Sequence, residues 1–202
     1  MRCRCTVNVS AVVRGCSYHI WALRHIRPWL DLNTAKTITQ GIVAARLDYC
    51  NSLICIVSTR NLCRMEVTQN TLARAVCSVP WSTSATELHC SLHWLPDRQR
   101  IDYKTALIAF QARRTGRLAY ITSLLRDYVL RRYLRSTDKL LLQSPFCRLS
   151  LGNSAFSISA PQVWNTLSLH CRASPSTDSF KCQLKAELFN TAYPVWSHLQ
   201  RL

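Results

Sequence analysis

Glycine is scarce in this chain, four in 202 residues. That scarcity argues against a glycine-rich loop of the kind that cradles phosphates. Acids are scarce as well: 10 Asp and Glu stand against 26 Lys and Arg, a formal charge of +16, and no two acids are adjacent. Polymerases and nucleases that use two metals need clustered carboxylates to neutralise two neighbouring cations, so no such centre is expected here. Long apolar runs are also missing. None reaches the roughly 18 residues that a spanning helix requires, so the apolar residues must be buried within protein. There is no G-x-S-x-G elbow and no CxxC pair, which leaves nucleophilic and zinc chemistry without a recognisable framework, and no cofactor is expected.

Cysteine is plentiful, at 11 residues. The odd count and the lack of a leading secretory signal favour reduced thiols over a disulfide framework. The close groupings are Cys3 with Cys5, Cys16 with His19, and His89, Cys90 and His93. His89 and His93 stand one turn apart on an expected short helix, a spacing that can bind a metal. Two further ligands are missing, so both read as core or surface histidines. The first 30 residues hold five Arg and no acid; this imitates a mitochondrial presequence in charge but not in serine content or amphipathic order.

What the chain has in abundance is positive charge, most of it arginine. The planar guanidinium fork suits phosphate oxygens and stacks on bases, which points to a polyanionic partner, nucleic acid first, ahead of an anionic membrane surface. Residues 98 to 148 carry 12 Lys or Arg against Asp102, Asp127 and Asp138. The expected phosphate track is Arg98, Arg100, Lys104, Arg113, Arg114, Arg117, Arg131, Arg132 and Arg135. The plainer alternative is a solvated basic surface. Trp94 and Trp164 read as core; Trp29 and Trp81, near Arg27 and beside Pro80, are better placed to stack.

The expected fold is mainly α, an antiparallel helical bundle with a small α+β annex at its C-terminal end. Residues 1–10 lack periodicity and are expected to trail as a disordered segment. A helical region then spans 11–130: helices over 11–26, from Asn33 to about 56, from Ser58 or Thr59 to about 79, from a capping box at Ser84–Glu87 to about 94, from Pro96 to 114 with Gly116 closing it, and around 120–129. A tail region, 131–202, combines two or three short strands within 133–160 with a last helix over 177–192.

One stretch, "RLDYCNSL" at 46–53, has an arginine in an unusual place. At 100° per residue Ile38, Ile42, Ala45, Tyr49 and Leu53 form one apolar row and Val43, Leu47, Cys50 and Ile54 another, with Arg46 between them. A buried guanidinium needs a partner, because leaving it unpaired costs several kcal/mol. With Asp48 and Asn51 the motif reads as structural, Arg46 pairing with Glu66 or Glu87 from a neighbouring helix. The rival is an outward Arg46 facing a bound duplex.

Seven motifs occur in order: "YHIWALRHIRPWL", "RLDYCNSLI", "QNTLARAV", "LHWLPDRQRIDYK", "YLRSTDKLL", "AFSISAPQVWNTL" and "FKCQLKAELFNTAY". Together they resemble the C-terminal part of the reverse transcriptase polyprotein of LINE-type, jockey-like non-LTR retrotransposons, over about residues 11 to 193. The resemblance implies a fragment from beyond the polymerase palm, thumb-like helices plus a tail, without the catalytic Asp pair. It further implies that cations on helices hold a primer–template duplex by its backbone. Apolar surfaces left by the missing palm would then favour association with another protein. The chain departs from the family pattern at Ile56, at Glu66, Val67 and Thr68, at Ala119 and at Ser168.

Overall fold

The computed structural model describes residues 4–47, 59–116, 119–128, 140–146, 148 and 155–194. The protein is mainly α-helical, as expected. It divides into two compact units, Met1–Arg100 with Ala192–Leu202, and Ile101–Thr191. The division at Arg100 and Ile101 falls inside a helix.

In the first unit, α1 (Arg4–Ile26) packs against α3 (Thr59–Cys77). Val9, Cys16, Ile20 and Leu23 make the buried row of α1, and Asn61, Met65, Gln69, Leu72 and Val76 that of α3, both at helical spacing. Residues 4–10, expected to be disordered, begin α1, and Val9 is anchored in the core. The helix stops at Ile26 because Pro28 disfavours helical geometry at Arg27, and a 3₁₀ turn follows over Arg27–Trp29. Arg27 ties this corner down by donating from Nε to the Val76 carbonyl at 2.6 Å and from Nη1 to the Leu30 carbonyl at 2.6 Å.

Helix α2 (Leu32–Thr39) is capped by Asp31 rather than Asn33: its Oδ2 accepts from the amides of Asn33 and Thr34 at 3.0 and 3.2 Å. Hydrogen bonds from the Thr34 side chain and amide hold this carboxyl below its usual range. The helix then widens into a π turn over Gln40–Ala44. That turn shifts the phase of everything after it. Ala35, Thr39, Val43 and Leu47 become the buried row, while Ile42, Ala45 and Arg46 face outward.

Helix α4 (Ala85–Leu92) starts where the capping box is expected, but the Ser84 hydroxyl makes no cap hydrogen bond. It ends on His93 in the left-handed region, φ 54°, where the His93 and Trp94 amides donate to the carbonyls of Cys90 and His89 at 3.1 and 2.9 Å. Two side chains lock α3 to this corner. Gln69 Nε2 donates to the Leu95 carbonyl at 2.8 Å, and Asn70 Oδ1 pairs with His89 Nε2 at 2.8 Å. The Tyr193 hydroxyl donates to the Trp94 carbonyl at 3.2 Å.

Helix α5 (Asp97–Thr115) closes on Gly116 at φ 59°, as expected, and carries the chain into the second unit. There, α6 (Ala119–Leu124), α7 (Phe156–Thr166), α8 (Leu169–Arg172) and α9 (Thr177–Ala192) complete the described helices. The core is a stack of three rings. Phe110 and Phe180 lie 4.1 Å apart and nearly parallel, with Trp164 5.9 Å from Phe180. The row Phe180, Leu184, Leu188 is buried as its spacing requires.

Strands are not shown among the described residues. The alternation Phe156, Ile158, Ala160 reads as period two, but Ile158, Ala160, Pro161 and Trp164 are buried at helical spacing. Among the described residues one isolated antiparallel bridge pairs Asp127 with Leu142; residues 133–139, 147 and 149–154 of the expected annex lie outside them. Trp164 Nε1 donates to the Leu140 carbonyl at 2.7 Å, and Asn165 both donates to the carbonyl and accepts from the amide of Leu142, at 2.8 and 2.9 Å.

Candidate nucleic-acid interface

Five residues of the expected phosphate track, Arg98, Arg100, Lys104, Arg113 and Arg114, lie on α5. Arg98 is exposed and Arg100 half-buried in the first unit; Lys104 and Arg113 are half-buried and Arg114 exposed in the second. Along α5, at 100° per residue, Arg100, Lys104 and Arg114 fall within about 80° of one another, while Arg98 and Arg113 lie toward the other side. Arg113 is already engaged: its Nη2 donates to Asp127 Oδ1 at 2.6 Å and its guanidinium lies 5.3 Å from the Trp164 ring centre. Arg117, Arg131, Arg132 and Arg135 lie outside the described residues, as do Asp48 and Asn51.

Arg46 is exposed and forms no ion pair with Glu66, Glu87 or any other acid among the described residues. This corrects the structural reading of the motif. The π turn has carried Arg46 off the apolar face, so no burial penalty demands a partner. It borders a shallow cleft with Ala11, Val12, Gly41, Ile42 and Ala45.

Arginines converge elsewhere. Between α1 and α3 runs an open groove of about 660 Å³. From α1 come Val13, Ser17, Ile20, Trp21 and Arg24; from α3 come Arg60, Cys63, Arg64, Val67, Thr68 and Thr71. The floor is apolar, and no carboxylate among the described residues lines it. Arg64 is steadied by Ser10, its Nη1 donating to Oγ at 3.0 Å. The Arg24 guanidinium lies 5.0 Å from the ring centre of Trp81, and Arg74 covers the same ring at 5.5 Å. Arg74 is itself fixed, its Nε and Nη2 both donating to the Thr83 carbonyl at 3.2 and 3.1 Å. Trp21 and Trp81 are each 60% exposed, and the Trp21 ring packs 4.1 Å from that of His25 with the two planes tilted by 48°.

Sequence reasoning missed this groove, although its signals were present. Trp21 and Arg24 stand three apart on α1, Arg60, Arg64 and Val67 stand four and three apart on α3, and Trp81 had been picked out for stacking. Trp29 is exposed, Trp164 buried and Trp94 half-buried.

No group of three or more potential metal ligands occurs among the described residues. His89 Nε2 is committed to Asn70, and burial, followed by the charges of Arg100 and Arg74, lowers its pKa to about 4. His93, in the left-handed residue past the helix end, is exposed, so the two rings do not form the i, i+4 pair that the spacing allowed. Cys63, Cys77, Cys90, Cys171 and Cys182 carry free thiols. Burial raises the thiols of Cys77 and Cys90, and burial followed by the Glu187 charge raises Cys171 to about 11, which makes these three poor nucleophiles. No described helix is long and apolar enough to cross a membrane.

Comparison with protein-family models, curated proteins and solved structures finds no match to this chain.

Proposed function

We propose that this chain is a catalytically incomplete remnant of a retrotransposon RNA-directed DNA polymerase, retaining sequence-independent binding to RNA or an RNA–DNA duplex. The observation that carries the reading is the convergence of Arg24, Arg60 and Arg64 on one groove that no carboxylate among the described residues lines. The charge of +16, the seven ordered motifs and the scattering of all ten acids support it. Filter binding across a salt series tests it. Phosphate contacts make log affinity fall with log salt at a slope of about 0.9 per duplex phosphate neutralised. Binding that salt leaves unchanged, or no binding at low salt, rejects the proposal.

A helical protein-interaction module without a nucleic-acid role is the second reading. It is favoured by the apolar floor of the groove and by the exposed rings of Trp29, Tyr120 and Phe146. Concentration-dependent association on size exclusion, with no affinity for nucleic acid, would select it.

A further inference from the structure

We infer that the groove between α1 and α3 is a single-strand site, taking unpaired bases on Trp21 and their phosphates on Arg24 and Arg60. The inference rests on the nucleic-acid reading above and specifies its strand state and its residues.

A rod-like duplex presents phosphates outward and keeps its base faces stacked inside, so arginines alone suffice to hold it. This groove offers more than charge. Its apolar floor includes Ile20, Val67 and the exposed Trp21 indole, surfaces that gain from covering a flat aromatic base and nothing from a phosphate. Arg24 stands at the lip of the groove and is held there by the Trp81 ring at 5.0 Å. Trp81 is in turn covered by Arg74, which the Thr83 carbonyl fixes in place. Arg24 is therefore oriented before any ligand arrives, and it pays less entropy on binding than a free surface arginine. Arg60 is exposed along the opposite wall. Alternating ring planes and guanidinium groups is the pattern that single-strand sites use to bind without reading sequence. An acidic amphipathic helix would match the charge, but it would leave the exposed Trp21 indole without a flat partner.

The test uses the full chain and two fluorescent probes, a 12-nucleotide oligouridine and a blunt RNA–DNA duplex of equal phosphate count. The single strand is expected to bind more tightly at the same salt and to quench tryptophan emission. Trp21→Ala should weaken single-strand binding roughly tenfold, within the range of one lost base stack, while duplex binding changes much less. Trp21→Phe should restore most of the loss, since a plane remains. Arg24→Gln with Arg60→Gln should flatten the salt dependence by nearly two single-strand phosphates, about 1.4 in log–log slope. Helical circular dichroism and melting confirm that each variant is folded.

Three results overturn the inference. Equal or tighter duplex binding would leave the nucleic-acid reading standing and remove the single-strand site. Loss no greater for Trp21→Ala than for Arg98→Gln would place binding outside the groove. Tighter capture of an acidic helical peptide, displacing the oligouridine, would assign the groove to a protein. If neither nucleic acid binds at low salt, the proposed function fails along with it.

Discussion

Arg46 lies across the middle of α1: a methyl group added at Gly15 would stand 3.0 Å from its Nη1. The glycine thus gives the guanidinium a place to rest on the neighbouring helix. The arginine that sequence periodicity placed between two buried rows rests on the surface of the first unit, with Ile42 and Ala45 exposed beside it.

Gly15→Ala should stabilise the protein. Glycine inside a helix costs roughly 0.5–1 kcal/mol relative to alanine. The atom nearest the new methyl is the far end of an exposed side chain, free to swing aside. A rise in melting temperature of about 2–4 °C is expected for a change of this size. Destabilisation in a denaturant titration would show that the Arg46 position is fixed.

Arg46→Met should change stability by no more than about 0.5 kcal/mol, the usual range for a surface site. A shift in the denaturation midpoint equivalent to several times that value would reinstate a structural ion pair for this residue.

Asn165→Ala should cost roughly 2–4 kcal/mol. The side chain satisfies both the amide and the carbonyl of Leu142, which is buried, and orphaned buried polar groups cost about 1–3 kcal/mol each. Urea unfolding followed by Trp164 fluorescence reads the loss, because the indole donates to Leu140 two residues away. A neutral result would mean that the 140–142 segment is held by the Asp127 bridge instead.

No primer extension is expected from this chain with any divalent cation. Its acids are scattered singly along the sequence, and two cations a few ångström apart need their ligands together. Template-dependent incorporation by protein free of contaminating enzyme, and sensitive to acid-to-amide substitution, would refute this.

Helices were legible where two local signals agreed. The last helix was read at its observed bounds because Phe180, Leu184 and Leu188 follow one another at four-residue steps behind a Thr177–Asp178 start. Pro96 and Gly116 marked α5 equally well. Period-two reading failed at Phe156–Ala160, where the residues that decide the outcome, Pro161 and Trp164, lie downstream and bury by tertiary contact. The π turn at Gln40–Ala44 was invisible, since no residue pattern announces an inserted position, and it misplaced Arg46. Several motif residues are interlocking parts. Gln69 meets Leu95, Trp164 meets Leu140, and both oxygens of Glu187 accept from Ser168, through its amide at 2.7 Å and its hydroxyl at 2.8 Å. Charge counting along the chain did not single out the groove between α1 and α3. Clustering along the chain is no guide to clustering in space, and α1 and α3 meet only after folding.

Acidification should weaken the fold between pH 6.5 and 4 through His89. Its Nε2–H donates to Asn70 Oδ1, and its Nδ1 is buried with no hydrogen-bond partner. A neutral ring leaves only an acceptor unpaired there; protonation would create an unpaired buried donor and a charge beside the fields of Arg100 and Arg74. The folded-state pKa is therefore about 4, against 6.5 for the free side chain. In that window the unfolded chain binds the extra proton and the folded chain does not, so stability falls as pH falls, by on the order of 3 kcal/mol in total. Above pH 6.5 both states are neutral at this site and the full stability is present. Asp31, whose carboxyl is lowered below 3.8, contributes stability that is lost only at still lower pH, so the two windows are separable. His89→Gln keeps a donor for Asn70 and cannot be protonated, and should flatten the midpoint-against-pH curve between 6.5 and 4. If the curve for the glutamine variant falls as steeply as that of the parent, the acid sensitivity belongs to another group.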